Sequence, residues 1–458
     1  MIIKTKDLLT TNRIDVIFKI LYLKLNKLGA QKVSKKIYKD HIRIITNGIF
    51  QEEGSNKKTL KDYVFEFKNI LNSFTEKGYD KVISKIPLAI DGTISNGSHR
   101  LATSIFLNID EVEVELTNEK RHNYNYNFFI KRGLRKELLD FGILEYLNLT
   151  QNNFLAIIWP SANKKINYVE SFENIIYEKK IKLNPLGAQN FVAQVYKEHR
   201  WVGDFKNGYG GAISKVRETF KNYSYLHIIF FEEQDFKNVI NLKEKLRELF
   251  GIQKASIHIT DNDKETLELG NIILNDNSIN FIKQGIPYKY PPIFDNIKKF
   301  RELLIKKNID INSLVISGDT VLGIYGLKSS NTVNFISKQQ VEINHKKIIN
   351  ETNNYFQNGY ENVEEHIYNP KNYFNFYGFK FQTLESIKKL KSYRNSPEDW
   401  SDIKLINSKN SSNKIDARDY IDYYKFKIIG WIIHISKKFN FYGFAKEVYK
   451  FLNSFSKL

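Results

Sequence analysis

The chain has no cysteine in 458 residues. That excludes disulfides, thiolate zinc sites, cysteine nucleophiles and iron–sulfur clusters, and it fits a reducing, cytoplasmic setting. Proline is scarce, at 8 residues. Long apolar runs are missing too. The most apolar late stretch, Ile428-Ile429-Gly430-Trp431-Ile432-Ile433, is far shorter than a membrane span, which needs ~20 residues. Met1–Asn12 has no extended apolar core and is interrupted by Asp7, so no secretory leader is expected. Arginine blocks and basic tails are lacking. Lysine and arginine number 70 against 51 acidic residues, a net charge of +19, but the excess is lysine spread along the chain. Such a field attracts polyanions. Its even spread reads first as a solvated lysine surface, and a DNA partner is the less favoured expectation. With nine scattered histidines, a histidine-rich metal site is not expected.

What is present is a foldable chain: 42% apolar and 14% aromatic residues. Its length implies several domains. Residues 13–47 read as helices, with Ile14, Ile17, Phe18, Leu21 and Leu25 at helical spacing. Residues 59–76 give another helix, and Tyr124–Leu149 is aromatic-rich and helical in pattern. Phe154–Trp159 reads as a buried strand stopped by Pro160. His227–Phe231, the helix Val239–Phe250 ended by Gly251, the strand Ser256–Thr260 and the helix Asp261–Asn275 then alternate, an order that predicts an α/β layer. The expected fold class is therefore α/β, or α+β across several domains. Expected units are 1–160, a central α/β unit at 161–290, a third unit at 291–410 and a helical tail at 411–458. Asn407–Lys414 is the expected exposed loop, and Tyr424–Leu458 mixes aromatics and lysines, a pattern compatible with packing or with peripheral membrane contact.

The richest local signal is Asn96-Gly97-Ser98-His99-Arg100-Leu101-Ala102, between the apolar run Ile86–Ile90 and a helical pattern. Gly97 permits a tight turn and close backbone approach. Free first-turn N–H groups, Ser98, His99 and the Arg100 guanidinium form an anion-binding set. The plain alternative is a capped helix with a solvated arginine. This segment, with the alternating strand Glu111-Val112-Glu113-Val114-Glu115, resembles the ParB/sulfiredoxin-like family, whose strand leads into a G-x-H-R or G-x-x-R turn and then a helix. Asn96 stands where an acid is common, and the chain lacks the cysteine a sulfiredoxin needs. The resemblance implies a bound nucleotide phosphate from ATP or CTP, accompanied by Mg2+. It covers the first quarter of the chain. Small-molecule kinases of that family place a carboxylate upstream of the turn; Glu53 or Glu52 takes that place here as base, with His99 and Arg100 stabilising transferring charge.

A second candidate site is Lys254, Ser256, His258 and Thr260, which share one face of an expected strand, with Asp261 at its end. His258 is the acid–base candidate and Lys254 the charge clamp; the alternative is an ordinary half-exposed strand. The glycine-rich stretch Trp201–Gly211 precedes Lys215 and Arg217 but is not a Walker A motif. Finally, Ser317-Gly318-Asp319, Leu322–Leu327 and Thr332-Val333-Asn334-Phe335 resemble the nucleotidyltransferase superfamily in a degenerate form. Thr332 and Asn334 occupy the places of its two metal-binding aspartates, which implies loss of metal-dependent transfer. The combined expectation is a nucleotide-dependent phosphotransferase acting on a small hydroxyl compound, such as a sugar or amino-acid derivative. The multidomain arrangement resembles bacterial surface-polysaccharide (capsule) gene products. The alternatives are a ParB-like, CTP-gated DNA-binding protein and a non-catalytic nucleotide-binding scaffold.

Overall fold

Three small sheets, each with its own helices, are joined through one continuous apolar core that runs from Leu8 to Ile406. The computed structural model describes residues 1–51, 56–79, 85–119, 122–162, 166–339, 341, 343, 345–353 and 362–411. The class is mixed α and β, as composition and patterning predict.

The first sheet has the order β1 (Ile2–Lys4), β3 (Glu111–Leu116), β2 (Ile86–Leu88), with β1 antiparallel and β2 parallel to β3. Helices α1 (Asp15–Lys27), α2 (Gln31–Ile45), α3 (Leu60–Lys77) and α4 (Ser98–Phe106) accompany it. The β2–α4–β3 segment is the strand–turn–helix–strand unit predicted from the pattern. Thr59 and Asp62 start α3 with a reciprocal capping box, and Gly78 at φ 75° ends it. Helix α1 is buried along most of its length, Asp15 and Lys19 included. The aromatic-rich segment divides into α5 (Tyr126–Lys131) and α6 (Lys136–Leu149).

The second sheet is ordered β5 (Ile175–Ile181), β6 (Leu226–Glu232), β4 (Asn153–Ile158), β7 (Ile257–Ile259), and every pairing is antiparallel. Two expectations change here. The predicted boundary between 160 and 161 passes through this sheet, because β4 is one of its inner strands. And the layer is antiparallel, so the rule placing ligands at the carboxyl edge of parallel strands has no purchase on it. Strand β4 is buried on both faces: Leu155 and Ile157 enter the main core, while Phe154, Ala156 and Ile158 enter a second cluster. That explains its unbroken apolar run. Around this sheet lie α7 (Pro185–Val195), α8 (Gly210–Thr219), α9 (Phe236–Phe250), α10 (Asp263–Ile273) and α11 (Asp276–Gln284). Leu246 and Phe250 of α9 complete the second cluster, and Gly251 at φ 68° ends that helix.

The third sheet follows α12 (Pro292–Lys306) and has the order β10 (Ile348–Asn350), β9 (Val333–Ser337), β8 (Leu314–Ser317), β12 (Phe379–Gln382), β11 (Tyr373–Phe376). Helix α13 (Gly318–Ile324) joins β8 to antiparallel β9, in the element order the sequence motif predicts. Helices α14 (Val363–Tyr368), α15 (Leu384–Arg394) and α16 (Pro397–Ser411) complete this part. Asn407–Ser411, expected in a loop, is the last turn of α16; the rest of that expected loop and the tail 412–458 lie outside the described residues. No described helix is long and apolar enough to cross a membrane.

The first and third parts are tied by an unusual cap. Helix α2 starts at Ala30 with no side-chain cap of its own. Glu365 of α14 supplies it from 333 residues away, its Oε1 accepting from the Lys32 N–H at 2.8 Å and the Val33 N–H at 3.2 Å. A carboxylate there also meets the positive end of the α2 dipole.

Candidate phosphate-binding turn

Gly97 is the N-cap of α4 and sits at φ 81°, ψ 19°, a left-handed conformation that disfavours any residue with a Cβ. Its N–H is held by Asn96 Oδ1 at 2.6 Å, and its carbonyl accepts from Leu101 N–H at 2.9 Å. This gives Asn96 a local role where the resembling family often carries an acid. Ser95 N–H anchors the approach to the turn on the Pro87 carbonyl. Further along, Thr103 and Ser104, both fully buried, return hydrogen bonds to the His99 and Arg100 carbonyls. Gly97 itself is buried, while Ser98, His99 and Arg100 are half-buried. The first-turn N–H groups of an α-helix have no intrahelical acceptor.

Arg100 folds back over the turn. Its Nη1 donates to the Lys85 carbonyl at 2.6 Å, and its Nη2 lies 3.1 Å from where a Cβ on Gly97 would stand. Among the described residues no carboxylate forms an ion pair with it. The guanidinium has further N–H groups beyond the one given to Lys85.

His99 is placed differently from its expected role. Its Nε2 lies 2.9 Å from the hydroxyl of buried Tyr38, and its ring meets Phe67 edge-on at 4.6 Å. The Tyr38 hydroxyl also donates to the Tyr63 carbonyl at 3.3 Å. The proton assignment that satisfies both contacts has His99 Nε2–H donating to Tyr38. Burial first, then the positive charges of Lys19 and Lys57 and neighbouring His41, push its pKa well below the ordinary histidine value. A neutral ring with its N–H committed contributes no positive charge to a phosphate, so His99 belongs to the wall behind the turn. Glu53 and Glu52, the expected bases, lie outside the described residues. Lys57 rests over the Tyr63 ring and pairs with Glu66 at 3.2 Å. Asp91 is spent in its own turn, accepting from the Thr93 N–H and hydroxyl.

Below the turn lies a polar group that sequence reasoning did not single out. Arg13 grips Asp15 with two bonds of 2.8 and 2.9 Å, Lys19 adds a third at 3.0 Å, and all three are buried. Arg13 also donates to the Ile94 carbonyl, which ties the segment leading to Gly97 onto α1. Burial alone would raise the Asp15 pKa; Arg13 and Lys19 reverse that and hold its carboxyl well below the usual range. His41 is fully buried beside this group, its ring tilted against Phe18, Tyr38 and Phe129, and among the described residues neither ring nitrogen has a hydrogen-bond partner. Burial and then Lys19 keep it neutral. The only sequence signal was an Arg13-x-Asp15-x-x-x-Lys19 spacing, which looks like an ordinary solvated helix start.

The second candidate site does not assemble. Lys254 lies on a 3-10 turn before β7, and Ser256 lies outside the three-residue strand, its hydroxyl donating to the Gln253 carbonyl. The four side chains therefore do not share a strand face. His258 pairs with Glu265 at 3.0 Å. Thr260 bonds the Thr266 hydroxyl and accepts from the Leu155 N–H. Asp261 pairs with Lys243 at 3.2 Å, and Asn262 caps α10. Ser256, His258, Thr260 and Asp261 are each engaged by neighbouring groups of the chain, while the Lys254 side chain is exposed. In the glycine-rich stretch, a Cβ on Gly211 would fall 2.1 Å from the Trp201 carbonyl oxygen, so that glycine serves chain packing.

At the nucleotidyltransferase-like position, Thr332 donates to Asn334 Oδ1 at 2.8 Å, and Asn334 donates to Glu351 at 2.9 Å. Ser317 donates to the other Glu351 oxygen at 2.6 Å. Asp319 is engaged by Lys328 at 2.9 Å and Lys391 at 3.3 Å. Both acids are thus held by donors or cations of the chain itself. Among the described residues no group of three or more acids and histidines is placed to hold a metal. Comparison with protein-family models, curated proteins and solved structures gave no match.

Proposed function

We propose that this chain is a nucleotide-dependent phosphotransferase that holds the phosphates of ATP or CTP at the Gly97 turn. It passes a phosphoryl group to the hydroxyl of a small acceptor, such as a sugar or amino-acid derivative. The observation that carries this reading is the left-handed Gly97 at the mouth of α4, with the Arg100 guanidinium folded beside it and unpaired by any described acid. Gly97 lets a phosphate approach the backbone, the first-turn N–H groups and Ser98 donate to it, and Arg100 neutralises its charge. Mg2+ has no cage of described carboxylates at this turn. It would come as the counter-ion of the nucleotide phosphates, and no step here is assigned to it. The base that receives the acceptor proton is expected at Glu53 or Glu52.

The test is calorimetry of the full chain with ATP and with CTP, each with Mg2+. Arg100→Ala is expected to abolish binding while the melting temperature of the free protein falls only slightly. Saturating nucleotide should stabilise the parent protein, by about 2.7 kcal/mol at a hundred times Kd. Equal nucleotide affinity in Arg100→Ala and the parent would overturn the assignment. Salt-sensitive retention of duplex DNA without nucleotide binding would favour the DNA-binding alternative.

A further inference from the structure

A hydroxyl–imidazole–carboxylate relay stands at one end of the second sheet, independent of the phosphate-binding turn. The Tyr168 hydroxyl lies 2.8 Å from His227 Nδ1, and His227 Nε2 lies 3.0 Å from Glu178 Oε2. Tyr126 donates to the other Glu178 oxygen at 2.5 Å. These residues come from the loop before β5, from β6, from β5 and from α5, with 59 and 49 residues separating His227 from Tyr168 and Glu178. No local spacing announces them.

An ionised carboxylate only accepts, so His227 Nε2–H donates to Glu178. The Glu178 carboxyl is held below its usual range, chiefly by that hydrogen bond, against the opposing effect of burial. In the neutral imidazole Nδ1 is then the bare lone pair, and the Tyr168 hydroxyl donates to it. This is the order of a hydroxyl nucleophile, its base and the group that orients the base. The His227 side chain is 9% exposed and fixed, while Tyr168 is half-buried and so partly open to solvent. Lys180 is the register partner of His227 and adds positive potential at Glu178, which places a cation on the same face.

We propose that Tyr168, His227 and Glu178 form an acyl-transfer centre in which the Tyr168 oxygen attacks an activated acyl group. As the oxygen bonds to the acyl carbon, its proton passes to His227 Nδ1. The bond from the acyl carbon to the leaving group breaks, and the leaving group departs with that electron pair and takes the proton from His227. The product is an O-acyl tyrosine. Water, giving its proton to the same nitrogen, hydrolyses the ester and restores the phenol. Burial and the Glu178 charge push the Tyr168 phenol up to about 12, so its proton must pass to His227 as the oxygen attacks rather than beforehand.

The test is acetylation of the full chain with N-acetylimidazole, followed residue by residue with mass spectrometry. Tyr225 and Tyr393 are internal standards, being 59% and 62% exposed. Tyr168 is expected to be acetylated at least about tenfold faster than either, a modest share of what a positioned general base supplies. His227→Gln should remove that excess and leave the two standards unchanged. Glu178→Gln should reduce it, and serves if the histidine variant fails to fold. A tyrosine that only fills space would react more slowly than the exposed standards. Acetylation of Tyr168 no faster than Tyr225 and Tyr393, or an excess that survives in folded His227→Gln, would overturn the proposal.

Discussion

Replacing Gly97 by Ala tests the geometry of the phosphate-binding turn before any ligand is added. Two costs are readable from the structure. At φ 81° an alanine carries the left-handed penalty, about 1–2 kcal/mol. Its Cβ would also stand 3.1 to 3.4 Å from Nη2, Nε and Cζ of Arg100, so the guanidinium must shift and stretch its 2.6 Å bond to the Lys85 carbonyl. A hydrogen bond to a charged group contributes ~1.5–3 kcal/mol. Arg100 is half-exposed and water replaces part of that, which leaves roughly 1 kcal/mol. Gly97→Ala should therefore cost about 2–3 kcal/mol in the parent, but only the backbone part, about 1–2 kcal/mol, once Arg100 is alanine. Urea unfolding of the four proteins of this double-mutant cycle gives the coupling directly, expected near 1 kcal/mol. Equal costs in both backgrounds would show that the guanidinium does not lie over Gly97. The phosphate-binding reading would then lose its arginine.

Asp15→Asn removes the one acid between Arg13 and Lys19, and in a fully buried group that should cost about 3–5 kcal/mol in urea melts. Because the folded state depresses the Asp15 pKa, its stabilisation is complete above the unfolded value and is lost as pH falls below it; the parent should show this acid limb and Asp15→Asn should lack it. Glu365→Ala uncaps α2 and should lower stability by about 1–2 kcal/mol, with hydrogen exchange accelerated at Lys32 and Val33 although the substitution lies in α14. Burial, aided by Lys389, lowers the His366 pKa from 6.5 to about 4. Between those values the unfolded chain binds the extra proton, so stability should fall as pH drops from 6.5 to 4, and thermal melts of His366→Gln should show a shallower decline.

The legible parts of this protein were those whose physics is local. Helices α1, α2 and α3, the buried strand β4 and the helix-ending Gly251 follow from apolar period, continuous hydrophobicity and glycine placement. The Gly97 turn was legible for the same reason: a glycine between an apolar run and the start of a helical pattern marks a tight turn. The second candidate site failed because a period-two pattern was extended beyond a strand that is only three residues long, so Lys254 and Ser256 left the face they were assigned. His99 was legible as a residue near the turn but not as a neutral one, since the burial that lowers its pKa comes from distant segments, Tyr38 standing 61 positions away.

By itself the amino-acid order determined the helices α1 to α3 and the buried strand β4, the turns at Gly97 and Gly251, and that no thiol chemistry is available. Tertiary structure alone decided that β4 joins β6 and β7, that Glu365 caps a helix 333 residues earlier, and that Arg13, Asp15 and Lys19 are sealed from water. The division has a physical cause. Backbone conformation responds to neighbours a few residues off, whereas the state of a titratable group depends on whatever surrounds it. In this chain those surroundings come from distant segments: Tyr38 for His99, and Tyr168 and Glu178 for His227.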